Sequence, residues 1–396
     1  MKKMLEGVKV IDFTLAAAGP GCTKILADYG AEDILIEPLQ GTTSRTNAPH
    51  TFNFKCGGKK SVPVNLKTPE GRAFIYKLVK WADVFVSNYR AKALAKLGLS
   101  YEALRELNPR LIYATLTGYG NRGPKKDDPG FDTTCFWANS GMMLDISQKG
   151  GDIINAPIAI GDVAAGQGLA VGICAALYHR EKTGEGGNIT TSLLGEAAFL
   201  NFDAIIESQH GQEFPKSRTA PMRALLNTYQ CGDGKWITIN ATHHWETSWP
   251  CICNLIGRPD LLDKYTCNED TMNENAPAVV AALDEGFKKF TRDEVVEALR
   301  TCGTIATEYV MHSHDLVTYP QALANEMLVE TEELTPDGKR VMIPTTPLKF
   351  GDEHPAEYKP GPALGGNTVE VMKMLGYSDA DIQDQIDRGI FIAAQN

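Results

Sequence analysis

Residues 8–38 read VKVIDFTLAAAGPGCTKILADYGAEDILIEP, and within them a helix pattern lies between two strand patterns. The apolar run VKVIDFT predicts the first strand, and DILIEP predicts the second. Pro20 stands early in the helix between them, and Gly30 ends that helix. The stretch therefore predicts a βαβ unit, in which two parallel strands are joined by a helix.

The same alternation continues along the chain. Thr68 and Pro69 mark the start of another helix, and Ser100 caps a third. The strand patterns in this region are SVPVNL (61–66), DVFVSN (83–88) and RLIYATL (110–116). Strands that alternate with helices predict an α/β fold, with a doubly wound, mainly parallel sheet in a Rossmann-like large domain. Residues 162–182 form a helix that is apolar on most of its circumference, so we expect it to be buried in the domain or against a partner.

A second, smaller domain is predicted where the pattern changes. NTYQ and KWITI form a hairpin around a Gly-Asp-Gly turn, and Thr291 with Glu294 makes a capping box before a later helix. We assign residues 1–210 to the first part of the large domain and 226–325 to a small α+β domain. Residues 326–396 are then a return segment and the C-terminal part of the large domain.

Composition narrows the class of protein. The chain has 396 residues and a formal net charge of −10, which argues against general nucleic-acid binding. The N-terminus enters a strand pattern without a signal peptide, and no run of 18 uncharged apolar residues occurs, so we expect a cytoplasmic protein without a membrane contact. The nine cysteines lack regular spacing, so we expect neither a disulfide nor a metal site; Cys251 and Cys253 are too close for a usual metal clip.

The segment GYGNRG (118–123) matches the G-x-G-x-x-G pattern of dinucleotide-binding folds. That pattern needs a helix directly after it, because the helix N-terminus holds the phosphates. Here Pro129 and Gly130 stop any helix within about one turn. The segment is therefore predicted to be a loop, and NAD binding is not expected.

Two places could carry chemistry. The first βα turn, AAAGPG (16–21), puts small residues at a helix N-terminus, where backbone could approach a ligand; close packing of helix on strand would use the same residues. Asp162 lies at the start of the apolar helix, where it is either a helix cap or a nucleophile kept ionised by the helix N-terminus. Basic residues that could gather around a phosphorylated ligand are Arg45, Lys59, Lys60, Arg90, Lys92, Lys96, Lys125 and Lys126.

Eight segments, in order, resemble the family III CoA-transferases, the group of the formyl-CoA and carnitine-CoA transferases. They are AAAGPGCTKILADYGAEDILIEP, KKSVPVNLKTPEGR, ADVFVSNYR, LGLSYEALRELNPRLIYATLTGYGNRGP, GFDTTCFWANSGMM, GDVAAG, ALYHREKTGEGGNITTSL and PALGGNTVEVMKMLGY. GYGNRGP is similar to the family's glycine loop after a strand. The resemblance extends over nearly the whole chain.

The resemblance implies that Asp162, in GDVAAG, attacks an acyl-CoA thioester and forms a mixed anhydride, then an aspartyl-CoA thioester. Coenzyme A is then a substrate, and no tightly bound cofactor or metal is implied. The resemblance also implies a homodimer of two interlocked, ring-like subunits. The positions that match its CoA site are Ala16, Ala17, Glu37, Asn88, Tyr89, Arg90, Lys96 and Lys125.

The sequence looks most like the branch of the family that moves CoA between 2-hydroxy acids and related acyl groups in amino acid fermentation, such as the phenyllactate and 2-hydroxyisocaproate transferases. The donor and acceptor acids, aliphatic or aromatic, stay open. One alternative is an acyl-CoA racemase of the same fold, although residues 118–161 contain no histidine for the base pair that racemisation needs. The other is a CoA-binding protein without catalysis.

Overall fold

A six-stranded parallel sheet forms the centre of the larger part of the molecule. The computed structural model describes residues 3–157, 159–241, 243–265, 274–351 and 358–394. The strands of the sheet are β1 (Lys9–Phe13), β2 (Glu32–Glu37), β3 (Lys60–Pro63), β4 (Val84–Ser87), β5 (Ile112–Thr117) and β6 (Gly187–Ser192). Their order is β3-β2-β1-β4-β5-β6, and each neighbouring pair is parallel. The predicted doubly wound parallel sheet is confirmed.

Helices connect these strands and cover the sheet. In this part of the chain they are α1 (Ala18–Asp28), α2 (Ser44–Asn47), α3 (Pro49–Cys56), α4 (Pro69–Trp81), α5 (Ala91–Lys96), α6 (Tyr101–Leu107), a π-helix (Asp132–Ala138), α7 (Met142–Asp145), α8 (Ile160–Thr183), α9 (Leu193–Leu200) and α10 (Phe202–Gln209). The predicted caps are present: Thr68 accepts a hydrogen bond from the Gly71 amide, and Ser100 accepts one from the Ala103 amide.

The apolar strand residues pack on both faces of the sheet. On one face Ile11, Phe85 and Tyr113 contact helices α4 and α6, and on the other face Val10, Val86 and Ala114 contact α1 and α8. Burial on both sides explains why these strands read as nearly continuous apolar runs, without alternation.

Two compact units make up the chain. The first comprises residues 1–143, 155–206 and 326–396, and the second comprises 144–154 and 207–325. The first unit also contains an antiparallel hairpin of β10 (Leu328–Leu334) and β11 (Arg340–Pro344), followed by α16 (Thr368–Met374) and α17 (Asp379–Asp387).

The second unit has its own core around a small antiparallel sheet. The sheet contains β7 (Leu226–Gln230), β8 (Trp236–Asn240) and β9 (Ala306–Tyr309). The helices are α11 (Trp245–Ile256), α12 (Asp260–Lys264), α13 (Ala276–Phe287), α14 (Arg292–Thr301), a 3₁₀ helix (Ser313–Thr318) and α15 (Pro320–Ala324). Trp249, Tyr229 and Phe287 are fully buried at its centre. The predicted hairpin and the Thr291–Glu294 capping box are both present.

One sequence prediction about this unit is wrong. Cys251 in α11 and Cys302 at the end of α14 are joined by a disulfide, with their Cα atoms 6.3 Å apart. The prediction considered spacing along the chain, whereas the packing of α11 against α14 brings together two cysteines separated by 51 positions.

Helix α8 is buried on one side only. Glycine at position 166 lets α8 approach α1, because a Cβ there would lie 2.7 Å from the Ala18 carbonyl oxygen. The opposite side exposes Val171 and Tyr178. In length and composition α8 could also cross a membrane, although the core helices of soluble proteins pass the same test. The expectation of a buried helix is therefore met on the α1 side.

Candidate active site

The site lies at the carboxyl ends of β1 and β4, which are neighbours in the sheet. The strand order reverses between these two strands, and ligands of doubly wound sheets bind in the crevice that such a reversal opens. The Asn88 side chain links the two strand ends through hydrogen bonds. Its NH₂ group donates to the Leu15 carbonyl at 2.7 Å, and its oxygen accepts from the Leu15 backbone amide at 2.8 Å. The turn after β1 is thereby fixed beside the loop after β4.

The turn between β1 and α1 has an unusual backbone. Ala16 has φ 61°, in the left-handed region that non-glycine residues seldom adopt, and its side chain is exposed. The Ala16 carbonyl accepts a hydrogen bond from the Lys55 ammonium at 2.9 Å. Ala17 is buried at the N-cap position of α1 and makes no side-chain cap.

A buried ion pair supports this turn from below. The Lys59 ammonium contacts the Asp12 carboxylate at 2.8 Å and the Thr23 hydroxyl at 2.6 Å, and it also donates to the Pro20 carbonyl at 3.2 Å. Because the ammonium and the carboxylate are both fully buried, removal of either partner would leave an uncompensated charge. Lys59 is therefore part of the fold and is not available to a phosphorylated ligand.

Asp132 caps helix α8 from a distant point in the sequence. Its carboxylate accepts hydrogen bonds from the Ala159 amide at 3.1 Å and from the Asp162 amide at 3.0 Å. Gly161 makes room for this contact, since a Cβ at that position would lie 2.4 Å from the Asp132 carboxylate and 2.2 Å from the Phe136 ring. Two amides at the start of α8 are thus capped by a side chain outside the helix.

The Asp162 carboxylate is consequently free of the capping role that was one interpretation of the sequence. Asp162 is the third residue of α8, after Ala159 at the N-cap position, and no residue in the described ranges hydrogen-bonds its carboxylate. The side chain is only partly exposed. Gly166, one turn later, packs against α1, and this places Asp162 near the N-terminal end of that helix.

The electrostatic environment of Asp162 differs from the expected one. Burial and the neighbouring Asp132 carboxylate raise the pKa of Asp162 to about 6, and the Lys55 ammonium opposes this increase. The ionisation expected from the helix N-terminus is therefore opposed by burial and by the charge of Asp132. A carboxylate with a pKa near 6 is still largely ionised at pH 7 and is more basic than an exposed aspartate.

The other predicted CoA-binding residues differ in how far their side chains are exposed to solvent. Tyr89 is half-buried, with its ring centroid 4.7 Å from that of Phe13, and burial raises the pKa of its hydroxyl. Arg90 and Lys96 are exposed at the two ends of α5, directly after β4. Lys125 is exposed on the GYGNRG loop region and donates to the Asn139 side chain at 3.0 Å. All of these residues follow the carboxyl ends of β4 and β5.

Glu37 does not fit a ligand-binding role. It is 2% exposed, and its carboxylate pairs with the Arg45 guanidinium at 2.8 and 2.6 Å and accepts from the Ser61 hydroxyl at 2.6 Å. Arg45 also donates to the Pro362 carbonyl at 2.8 Å, which ties the C-terminal segment to the sheet. We therefore leave Glu37 and Arg45 out of the candidate site. Lys60 is likewise engaged, with Glu32 and Glu370.

Sequence reasoning missed two residues of the site. Asp132 lies 30 positions before the amide that it caps, and Lys55 lies 39 positions after the carbonyl that it contacts. Asp132 belongs to the GFDTTC segment, but no local pattern distinguishes it from other acidic residues. Across the described ranges, no group of three histidine, cysteine or acidic side chains could hold a metal ion.

Comparison with known proteins identifies relatives over nearly the full chain. Residues 5–368 match the family model described as CoA-transferase family III. The (R)-2-hydroxy-4-methylpentanoate CoA-transferase of Clostridioides difficile is 36% identical over 395 residues, covering 96% of this chain and 98% of the relative. The cinnamoyl-CoA:phenyllactate CoA-transferase of Clostridium sporogenes is 31% identical, with 98% of each chain covered.

Solved structures share the fold. A CAIB/BAIF family protein from Brucella suis aligns with a TM-score of 0.82 and 26% identity, covering 95% of this chain and all of that one. A Mycobacterium tuberculosis protein aligns with a TM-score of 0.80 and 28% identity, covering 93% of this chain and 98% of that one. The mixed α/β architecture is therefore shared with these structures along nearly the whole length.

Proposed function

Because the chain belongs to CoA-transferase family III and is a CoA-transferase, we propose that it transfers CoA from an acyl-CoA to a 2-hydroxy acid through a covalent intermediate on Asp162. The observation that carries this proposal is the position and the raised pKa of the Asp162 carboxylate. It lies at the start of α8 beside the β1–α1 turn, with a pKa raised to about 6, while Asp132 caps the helix in its place.

The proposed reaction keeps the thioester energy in covalent form. An Asp162 carboxylate oxygen attacks the thioester carbonyl of the donor, the C–S bond breaks, and CoA leaves as the thiolate. The thiolate then attacks the Asp162 carbonyl of the mixed anhydride, which releases the donor acid as a carboxylate and leaves CoA on Asp162. The acceptor acid reverses these two steps. No proton is gained or lost, and no ATP is needed.

The proposed CoA site runs along the crevice between β1 and β4. Ala16 and Ala17 offer backbone at the N-terminus of α1, which favours anionic groups. On the β4 side Asn88 and Tyr89 are part of the wall, and Arg90 is exposed directly after them. Lys96 and Lys125 complete the proposed set as exposed cations that could pair with phosphates.

The 2-hydroxy acid acceptor is proposed from the relatives. The names of the C. difficile and C. sporogenes proteins specify a 2-hydroxy acid, and both relatives match this chain over at least 96% of its length. An acetyl-CoA:oxalate CoA-transferase of Acetobacter aceti is also 31% identical, so the acceptor has to be measured directly.

We also propose that the protein is the homodimer that its family resemblance implies. The exposed side of α8 and the neighbouring helices α9 and α10 carry large apolar side chains, among them Val171, Tyr178, Phe199 and Phe202. An exposed apolar surface of this kind favours association with another protein surface. A mass corresponding to two chains in native mass spectrometry supports the dimer, and a monomeric mass at micromolar concentration contradicts it.

The proposed activity is tested by exchange assays with a panel of acyl-CoA donors and acceptor acids, with the acyl-CoA products separated by chromatography. Asp162→Asn should lower the rate by at least about 10⁴-fold, as expected for loss of a nucleophile. Lys80→Met, a change at an exposed position of α4, is the matched control and should retain full activity. Transfer at the wild-type rate by the Asp162→Asn protein would disprove the covalent role.

A further inference from the structure

We propose that Lys55 binds the carboxylate of the acid substrate and holds it against Asp162, an inference that rests on the proposed function. Lys55 lies in the last turn of α3, and its ammonium is fixed in place by the hydrogen bond to the Ala16 carbonyl. Lys55 also lines a small cavity at the β1–α1 turn, together with Thr14, Ala16, Pro20 and Phe52. Lys55 is therefore anchored at the edge of the candidate site.

Among the described residues at this edge of the site, Lys55 is a cation with N–H donors still available. An ammonium has three N–H donors, and within the described part of the chain Lys55 uses one of them, for Ala16. Two further cations of this region are occupied: Lys59 by Asp12, Thr23 and the Pro20 carbonyl, and Arg45 by Glu37. Two donors of Lys55 are thus free to receive an anion.

Charge balance explains why the reaction needs such a cation. In the free enzyme Lys55 interacts electrostatically with the Asp162 carboxylate, which lies beside the Asp132 carboxylate. A substrate acid would add a third negative charge to this place, and like charges at close range repel. Once CoA is attached, Asp162 is a neutral thioester, and Lys55 loses one of its anionic partners. The ammonium can then accept the carboxylate of the incoming acid.

The position of the ammonium also fits the transfer step. The acid oxygen forms a bond to the Asp162 carbonyl carbon while the C–S bond breaks and its electron pair leaves with CoA. The thiolate then attacks the acyl carbonyl of the anhydride, and Asp162 leaves as a carboxylate beside Lys55. The same contact holds the donor acid as it departs, since the two half-reactions are the reverse of each other.

The test compares Lys55→Met and Lys55→Arg with the wild type and with Lys80→Met. Lys55→Met should raise the KM for the acceptor acid by roughly 10- to 100-fold, as expected for loss of a charge-assisted hydrogen bond. The KM for the acyl-CoA donor, whose thioester has no charge at that point, should change by less than about threefold. Lys55→Arg should restore much of the acid affinity, and Lys80→Met should leave both constants unchanged.

Trapping with hydroxylamine separates the two proposals. If acyl-CoA modifies Asp162 in wild type and in Lys55→Met, and the acid KM rises in the variant, the role of Lys55 is supported. An unchanged acid KM, or loss of Asp162 modification in the variant alone, overturns it. Absence of Asp162 modification in the wild type refutes the proposed function itself. If Lys55→Met does not fold, as judged by circular dichroism, Lys55→Gln takes its place.

Discussion

The pH dependence of the reaction should report the two charges beside Asp162. In the proposed mechanism only the ionised carboxylate attacks, so kcat/KM for the acyl-CoA follows the ionised fraction in the free enzyme. Burial and Asp132 raise the pKa of Asp162 to about 6. The rate constant should therefore fall on the acid side of pH 6, and at pH 5 it should be about a tenth of the plateau value.

Two substitutions should move the acidic limb of the pH profile, where kcat/KM falls, in opposite directions. Asp132→Asn removes the negative charge that raises the pKa of Asp162, so the limb moves to lower pH and the deficit at pH 5 becomes smaller than tenfold. Lys55→Met removes the positive charge that opposes the increase, so the limb moves to higher pH and the deficit becomes larger. The acidic limbs of the two variants should therefore lie on either side of the wild-type limb.

The assay is exchange of CoA between an acyl-CoA and an acid, followed from pH 4.5 to 8.5 by chromatography of the acyl-CoA products, with the acid at saturating concentration for each variant. Each profile is scaled to its own plateau, because Asp132→Asn also leaves one of the two capped amides of α8 without its acceptor oxygen. Lys80→Met should reproduce the wild-type limb. Shifts of both variants in the same direction, or an unchanged limb in Asp132→Asn, would refute the electrostatic account of the site.

Three further predictions concern stability. Folding raises the pKa of Asp162 from 3.8 to about 6, so the free energy of unfolding decreases as the pH rises through that window. Asp162→Asn should therefore stabilise the fold at pH 7 by up to about 3 kcal/mol, measured by urea unfolding. Asp33 is 2% exposed, both of its carboxylate oxygens lack a hydrogen-bond partner among the described residues, and burial raises its pKa, so Asp33→Asn should stabilise the fold at pH 7 more than at pH 4. Reduction of the Cys251–Cys302 disulfide, or Cys251→Ser, should destabilise the second unit by about 4 kcal/mol, the chain-entropy value for a loop of 51 residues, measured by thermal unfolding with and without a reductant.

The sequence predicted the sheet well because its strands are buried on both faces. Strands such as β1 and β4 consist of apolar runs between clear helix signals, and local physics alone identifies them. Strand β6 (GNITTS) was missed because it is polar and only partly buried. The β10–β11 hairpin was missed as well, since its residues LVETEEL and RVMIP show little burial.

Some residues of the candidate site could likewise be predicted from the sequence, and others could not. The turn at Ala16 and the aspartate at position 162 could be selected from local features and from the resemblance, and both lie where a strand leads into a helix or a helix begins. Asp132 and Lys55 could not be selected, because their roles depend on contacts with backbone groups 30 and 39 positions away. Only the packing of α8 and α3 around the turn brings these side chains together.

The covalent role of Asp162 is the central claim, and trapping of the intermediate tests it most directly. The protein is incubated with an acyl-CoA and then with hydroxylamine, which converts an activated aspartyl group into a stable hydroxamate, and the peptides are mapped by mass spectrometry. We expect a donor-dependent hydroxamate on Asp162 and none on Asp132 or in the Asp162→Asn protein. Donor-dependent CoA transfer without modification of Asp162, or a hydroxamate on another carboxylate, would contradict the account.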